Sequence, residues 1–109
     1  KFALLEMDDD GALRRIVGKP DAAVLQAMGP HAPVSMNCWC FSAEIFEACR
    51  AIEPSERGEL EIPLAVQYAI ERMGMRFAVV ESRSGVLDLS SRGDIAAVKE
   101  RLAGIEVHL

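Results

Sequence analysis

No apolar run in this 109-residue chain approaches the ~20 residues of a membrane-spanning helix, so a helical membrane protein is excluded and a soluble one is expected. Basic residues are in deficit: 12 Lys and Arg stand against 17 Asp and Glu, a net charge of -5, and the arginines are scattered rather than striped. A polyanion groove has no electrostatic footprint here, and nucleic acid is not an expected partner. Cysteines number only three, two of them at Cys38-x-Cys40, which fits neither a disulfide framework nor paired zinc spacing and points to a reducing cytoplasm. There is no initiator Met or targeting pattern ahead of Lys1-Phe2-Ala3-Leu4-Leu5-Glu6, which reads as the middle of an apolar strand, so a piece cut from a longer protein is expected. Nucleophile-elbow, paired-histidine and Walker patterns are all missing.

What is present is 50% hydrophobic, enough for one compact core and too little chain for two domains, so residues 1–109 are taken as one domain or part of one. Phe2 to Met7 and Leu13 to Val17 are apolar-rich runs separated by Asp8-Asp9-Asp10-Gly11, whose Asp-Gly signals a hairpin turn. A short helix over Ala22 to Met28 ends at Gly29-Pro30. Val34 to Phe41 alternates Met36, Cys38 and Cys40 with Asn37, Trp39 and Phe41, the pattern of a strand covered on both faces. Ser42 is placed as the cap of a helix with Ile45, Phe46, Cys49 and Ile52 as its buried stripe, ending at Pro54.

A second long helix is predicted over about Ile62 to Met73, with Pro63 in its first turn, Val66, Ala69, Ile70 and Met73 inward, and Gly74 at its end. Met75 to Glu81 reads as a strand and Gly85 to Leu89 as a short extended piece. Ser91 with Asp94 forms a capping box for a helix carrying Ile95, Val98 and Leu102 and closed by Gly104. Ile105 to Leu109 is a candidate last strand. The order of elements predicts an α/β layer with a mixed sheet covered by helices.

Few residues invite a chemical reading. Lys19, between Gly18 and Pro20, can hold an ammonium toward a phosphate at a strand end, or be a solvated turn lysine. Asp88, inside Val86-Leu87-Asp88-Leu89, suits a hard cation such as Mg²⁺, or caps the following turn. Asn37 offers donor and acceptor to a sugar hydroxyl, or satisfies neighbouring backbone. Cys38 and Cys40 are read as small buried hydrophobes rather than metal ligands, and His31 and His108 as surface residues.

Taken in order, these pieces resemble the second half of the sugar-1-phosphate nucleotidyltransferases, the thymidylyl- and uridylyltransferases acting on glucose 1-phosphate among them. Asp10-Gly11, Leu13, Ile16 and Gly18-Lys19-Pro20 resemble the family's hairpin ending in Glu-Lys-Pro. Ser35-Met36-Asn37-Cys38-Trp39-Cys40-Phe41 with Glu44-Ile45-Phe46 is similar to its asparagine-containing strand and helix. Arg57-Gly58-Glu59-Leu60-Glu61-Ile62 resembles its Gly-Glu-x-x-Leu segment, and Leu87-Asp88-Leu89-Ser90-Ser91 its late Trp-x-Asp-x-Gly-Thr segment.

The resemblance implies the C-terminal part of a Rossmann-like nucleotidyltransferase fold. In that family the phosphate oxygen of a sugar 1-phosphate attacks the α-phosphorus of a nucleoside triphosphate and pyrophosphate leaves. It further implies that Lys19 contacts the sugar phosphate, that Gly18, Asn37 and Glu59 border the sugar, and that Asp88 helps to hold Mg²⁺. Gly18 stands where the family has a sugar-binding glutamate, Val86 where a tryptophan is common, Ser90-Ser91 where it has Gly-Thr, and Pro63-Leu64 where it has Thr-Asp. The family's triphosphate-gripping Gly-x-Gly-Thr-Arg loop does not occur in this chain.

The expected function is therefore the sugar-phosphate-binding half of an enzyme, inactive alone and able to self-associate or pair with the absent N-terminal half through an open sheet edge and an apolar face. The alternatives are a non-catalytic regulatory or assembly domain that keeps the fold, and a free-standing interaction domain.

Overall fold

A computed structural model describes residues 2–108; Lys1 and Leu109 lie outside the described residues. Strands β1 (Leu4–Met7) and β2 (Leu13–Val17) form an antiparallel hairpin, with Leu4 opposite Val17 and Leu5 opposite Ile16. Its turn follows from Asp8 and Gly11. The Asp8 carboxylate accepts the N–H groups of Asp10 and Ala12, both at 2.9 Å, and Gly11 takes φ +79°, a backbone that glycine adopts without a Cβ clash. A bulge at Glu6/Met7 absorbs the odd residue.

Helix α1 (Ala22–Met28) begins at Asp21, whose carboxylate accepts the Val24 N–H at 2.9 Å. Helix α2 (Ile45–Ala51) starts later than a Ser42 cap predicts. Its N-cap is Glu44 without a side-chain cap, while the Ser42 carbonyl accepts the Ile45 N–H at 3.2 Å. Helix α3 (Ile62–Met73) has Pro63 in its first turn and ends at Gly74 in the left-handed region, φ +65°. A 3₁₀ turn, Arg92–Asp94, carries the Ser91/Asp94 capping box and leads into α4 (Ile95–Leu102).

The core lies between α2 and α3, where Ile45, Ala48, Ala65 and Ala69 are buried and Phe41, Cys49, Ile52, Tyr68, Met73, Met75 and Phe77 pack around them. Three alanines at this contact let the helix backbones approach closely. The predicted α2 stripe needs one correction: Phe46 is 63% exposed, and Ala48 takes the inward position. Cys38 and Cys40 are exposed, not buried, and Cys49 is half-buried.

The predicted mixed sheet does not form among the described residues, whose sheet has two strands in an α/β chain of four helices. The expected strand at Val34 to Phe41 contributes a single bridge, Val34 to Leu4; that at Met75 to Glu81 contributes Ala78 to Ala12. Residues 85–89 and 105–108 form no strand. The strand pattern itself is visible in burial: Met75, Phe77 and Val79 are half-buried while Arg76, Ala78 and Val80 are exposed. An alternating pattern makes one face, but a ladder needs a neighbouring backbone.

Both edges of the hairpin carry backbone hydrogen bonds to neighbouring segments. Leu5 N–H donates to the Pro33 carbonyl and Ser35 N–H to the Ala3 carbonyl on one side, and Leu13 N–H donates to the Phe77 carbonyl on the other, all at 2.8 Å. The radius of gyration is 16.1 Å, against about 13 Å for a compact chain of this length. The accessible surface is 8897 Å², against about 6,000 Å² for a folded monomer of this mass. Large apolar side chains, Val80, Val107, Leu60 and Phe46 among them, account for part of the difference.

Candidate functional site

Strand β2 and residues 33–35 both run antiparallel to β1, on its two sides, so they run parallel to each other. Val17 and Val34 both pair with Leu4, which sets them roughly 10 Å apart, two inter-strand spacings. Beyond this common row each chain leaves the hairpin at the same end. Lys19 follows two residues after Val17, and Asn37 three residues after Val34. The topology thus brings these two predicted site residues to one end of the hairpin, flanking the start of β1.

Both have unusual backbones. Lys19 has φ +48° and Asn37 φ +51°, and among the described residues these are the non-glycine residues with positive φ. A left-handed lysine costs about 1–2 kcal/mol; asparagine, with a short polar side chain, tolerates it better. Asn37 donates its N–H to the Oγ of Ser35 at 3.3 Å, and Ser35 is itself buried, which anchors the turn. Both side chains are exposed.

Gly18 does not owe its identity to the backbone. Its φ is not in the left-handed region, and a Cβ built there meets nothing within 4 Å. A side chain at position 18 would therefore begin in open space.

Glu59 sits in the loop before α3. Ser55 N–H donates to the Glu59 carbonyl at 2.8 Å, and the Arg57 guanidinium lies 3.5 Å from the Glu59 carboxylate while hydrogen-bonding Glu61. That bond to Glu61, then the charges of Glu61 and Glu59, raise the pKa of Arg57. No hydrogen bond or ion pair among the described residues joins Glu59 to Lys19 or Asn37.

Asp88 is half-buried and accepts the Ser90 hydroxyl at 2.7 Å. It stands just before the Ser91/Asp94 capping box, where Asp94 accepts the Ser91 N–H at 2.8 Å. No group of three or more His, Cys, Asp or Glu residues is gathered for a metal ion among the described residues. Mg²⁺ needs fewer protein ligands than that, since it takes one or two carboxylates with substrate phosphates and water.

The residue that sequence reasoning missed is Gln67. Its side-chain oxygen accepts the Ile16 N–H at 3.0 Å, and its Nε2 donates to the Arg14 carbonyl at 3.4 Å and to Glu71 at 3.0 Å. A polar residue one position from Val66 and three before Ile70 lies on the flank of a buried stripe, and that placement was its signal.

No protein-family model matches the chain. Its curated homologues are nucleotidyltransferases, at modest identity over part of the chain. Glucose-1-phosphate thymidylyltransferase of Streptomyces antibioticus is 42% identical over 74 residues, which cover 64% of this chain and 18% of that protein. The low-salt glycan biosynthesis nucleotidyltransferase Agl11 of Haloferax volcanii is 34% identical over 71 residues, 65% of this chain and 18% of that protein. UTP--glucose-1-phosphate uridylyltransferase AglF of the same organism is 26% identical over 102 residues, 94% of this chain and 39% of that protein. The matched residues thus span 18% to 39% of the length of these relatives. Among the described residues no helix is long and apolar enough to cross a membrane.

Proposed function

We propose that this chain is the C-terminal, sugar-phosphate-binding half of a cytoplasmic nucleotidyltransferase that joins a nucleoside triphosphate and a sugar 1-phosphate to give a nucleotide sugar and pyrophosphate. The observation that carries the proposal is that Lys19 and Asn37, both in left-handed backbone, follow segments that leave the hairpin at the same end. Strained non-glycine residues persist where the surrounding structure fixes them, and such positions cluster at ligand sites.

In this reading the Lys19 ammonium neutralises the sugar phosphate, whose oxygen bonds to the α-phosphorus as the bond to pyrophosphate breaks. Asn37 hydrogen-bonds sugar hydroxyls from the opposite side of β1, and Glu59 and the Gly18 backbone border the sugar. Asp88 is the carboxylate for Mg²⁺, which when bound would neutralise charge on the phosphates. Rate enhancement in such a reaction comes from alignment and charge neutralisation, with no covalent intermediate on the protein.

A full Rossmann-like sheet belongs to this proposal as well. The alternating burial of Met75 to Val80, the single bridges at Val34 and Ala78, and the roughly 3,000 Å² of surface beyond a compact monomer all suit a half-fold completed by the nucleotide-binding half. The second reading, a non-catalytic regulatory or assembly domain, is favoured by Gly18, which offers no side chain to a sugar although a Cβ there would meet nothing within 4 Å.

The test is calorimetry and pyrophosphate release on the purified chain. Glucose 1-phosphate binds, Lys19→Ala weakens binding at least about tenfold through loss of a charge-assisted contact, and no pyrophosphate forms with dTTP or UTP. Turnover by the isolated chain overturns the half-enzyme reading, and absence of glucose 1-phosphate binding overturns the sugar-phosphate site.

A further inference from the structure

Trp39 lies two residues beyond Asn37, and its indole Nε1 is the buried side-chain nitrogen or oxygen without a hydrogen-bond partner among the described residues. An indole N–H can only donate, and a donor withdrawn from water with no acceptor is unfavourable in any folded state. The ring cannot simply turn out to water. It stacks on Phe41 at a centroid distance of 5.9 Å and an interplanar angle of 10°, and Phe41 meets Phe77 edge-on at 6.1 Å. Phe41 and Phe77 in turn pack against the α2/α3 core. The aromatic row fixes the indole beside the Asn37 turn.

Residues 36–42 carry no strand ladder, and Asn37, Cys38 and Cys40, next to Trp39 along the chain, are exposed. Access to the N–H edge requires this segment to move relative to the Phe41 stack, and beyond Ser35, whose N–H bonds to Ala3, no ladder hydrogen bond holds it. We propose that Trp39 is a further ligand-contacting residue: its indole N–H donates to an acceptor oxygen of a bound sugar 1-phosphate, which supplies the partner the protein withholds. This inference rests on the sugar-phosphate reading of the Lys19 and Asn37 site.

Trp39 is the one tryptophan of the chain, so its fluorescence reports the site directly. Saturation with glucose 1-phosphate shifts or quenches that emission. Replacing Trp39 with 3-benzothienylalanine, which keeps the bicyclic ring and deletes the N–H, leaves the thermal midpoint unchanged or higher and weakens glucose 1-phosphate binding about five- to tenfold by calorimetry. Trp39→Phe weakens binding by at least as much. Glucose alone and inorganic phosphate, run as separate probes, tell a hydroxyl acceptor from a phosphate oxygen by which of them feels the deletion.

Equal affinity of the parent and the benzothienyl variant overturns this proposal alone. A lower thermal midpoint in that variant overturns it too, because the N–H would then already have a partner within the protein. A parent chain that fails to bind glucose 1-phosphate overturns the sugar-phosphate reading and takes this inference with it.

Discussion

Ile16 donates its backbone N–H to the side-chain oxygen of Gln67, 51 residues further along the chain, at 3.0 Å. The same amide donates to the Arg14 carbonyl, so a helix side chain occupies the place of a neighbouring strand along β2. With Phe77 bonded to Leu13 on the same edge, β2 is protected where an open hairpin would recruit another chain.

Gln67→Leu keeps the bulk and removes both amide contacts, leaving the part-buried Ile16 N–H without a partner while the exposed Arg14 carbonyl turns to water. The expected loss is about 1–3 kcal/mol in urea unfolding, with more light scattering as the β2 edge opens. Gln67→Glu retains the acceptor for Ile16 but sets a carboxylate against Glu71, to which Gln67 now donates at 3.0 Å. That variant is destabilised at neutral pH and recovers part of the loss in acid, as the two carboxylates protonate.

Lys19→Gly removes a left-handed lysine at φ +48° and raises stability by about 1 kcal/mol in chemical denaturation, while glucose 1-phosphate binding falls. Asn37→Gly is near neutral in stability, because asparagine already tolerates φ +51°, yet it too weakens sugar binding. Stability and binding moving together in Lys19→Gly would remove the case for strain held at a ligand site.

A Cβ at position 18 meets no atom within 4 Å, so Gly18→Glu starts without a clash at the backbone. It supplies the carboxylate that the resemblance to Glu-Lys-Pro hairpins implies for a sugar site, and calorimetry should show tighter glucose 1-phosphate binding by about three- to tenfold, the gain of one or two sugar hydrogen bonds. Unchanged affinity would favour the non-catalytic reading of this chain.

Glu44, at the start of α2, has its pKa lowered, first by the Ser42 hydroxyl and then by its own backbone N–H. A depressed carboxylate stabilises the fold at pH values above its unfolded pKa, and that contribution is lost as pH falls through the folded value. Ser42→Ala should move the Glu44 titration, followed by NMR of the side-chain carboxyl, back up toward the ordinary range. The stability gap between variant and parent is present at neutral pH and closes in acid.

Much of the local structure was legible. Asp10-Gly11 marks the hairpin turn, Gly29 and Gly74 end α1 and α3 where expected, and the Ser91/Asp94 box forms. The candidate site was legible only in part. Gly18-Lys19-Pro20 and Asn37 stand out by residue type, but nothing in their spacing along the chain places them at one end of β1. Glu59 and Asp88 remain in separate segments, each with its own partner, Arg57 and Ser90. Ser42 and Phe46 were misplaced by a helix that starts at Ile45 and turns Ala48 inward.

The sequence by itself determined what depends on neighbours within a few residues: turn chemistry, helix caps, the period of apolar side chains and the excess of negative charge. Tertiary structure alone decided which extended segments found a partner, because a ladder is a bond between distant backbones and periodicity describes only one of them. It therefore decided that Val34 and Val17 share Leu4, that Gln67 covers part of the β2 edge, and that the indole nitrogen of the half-buried Trp39 is withdrawn from water without an acceptor.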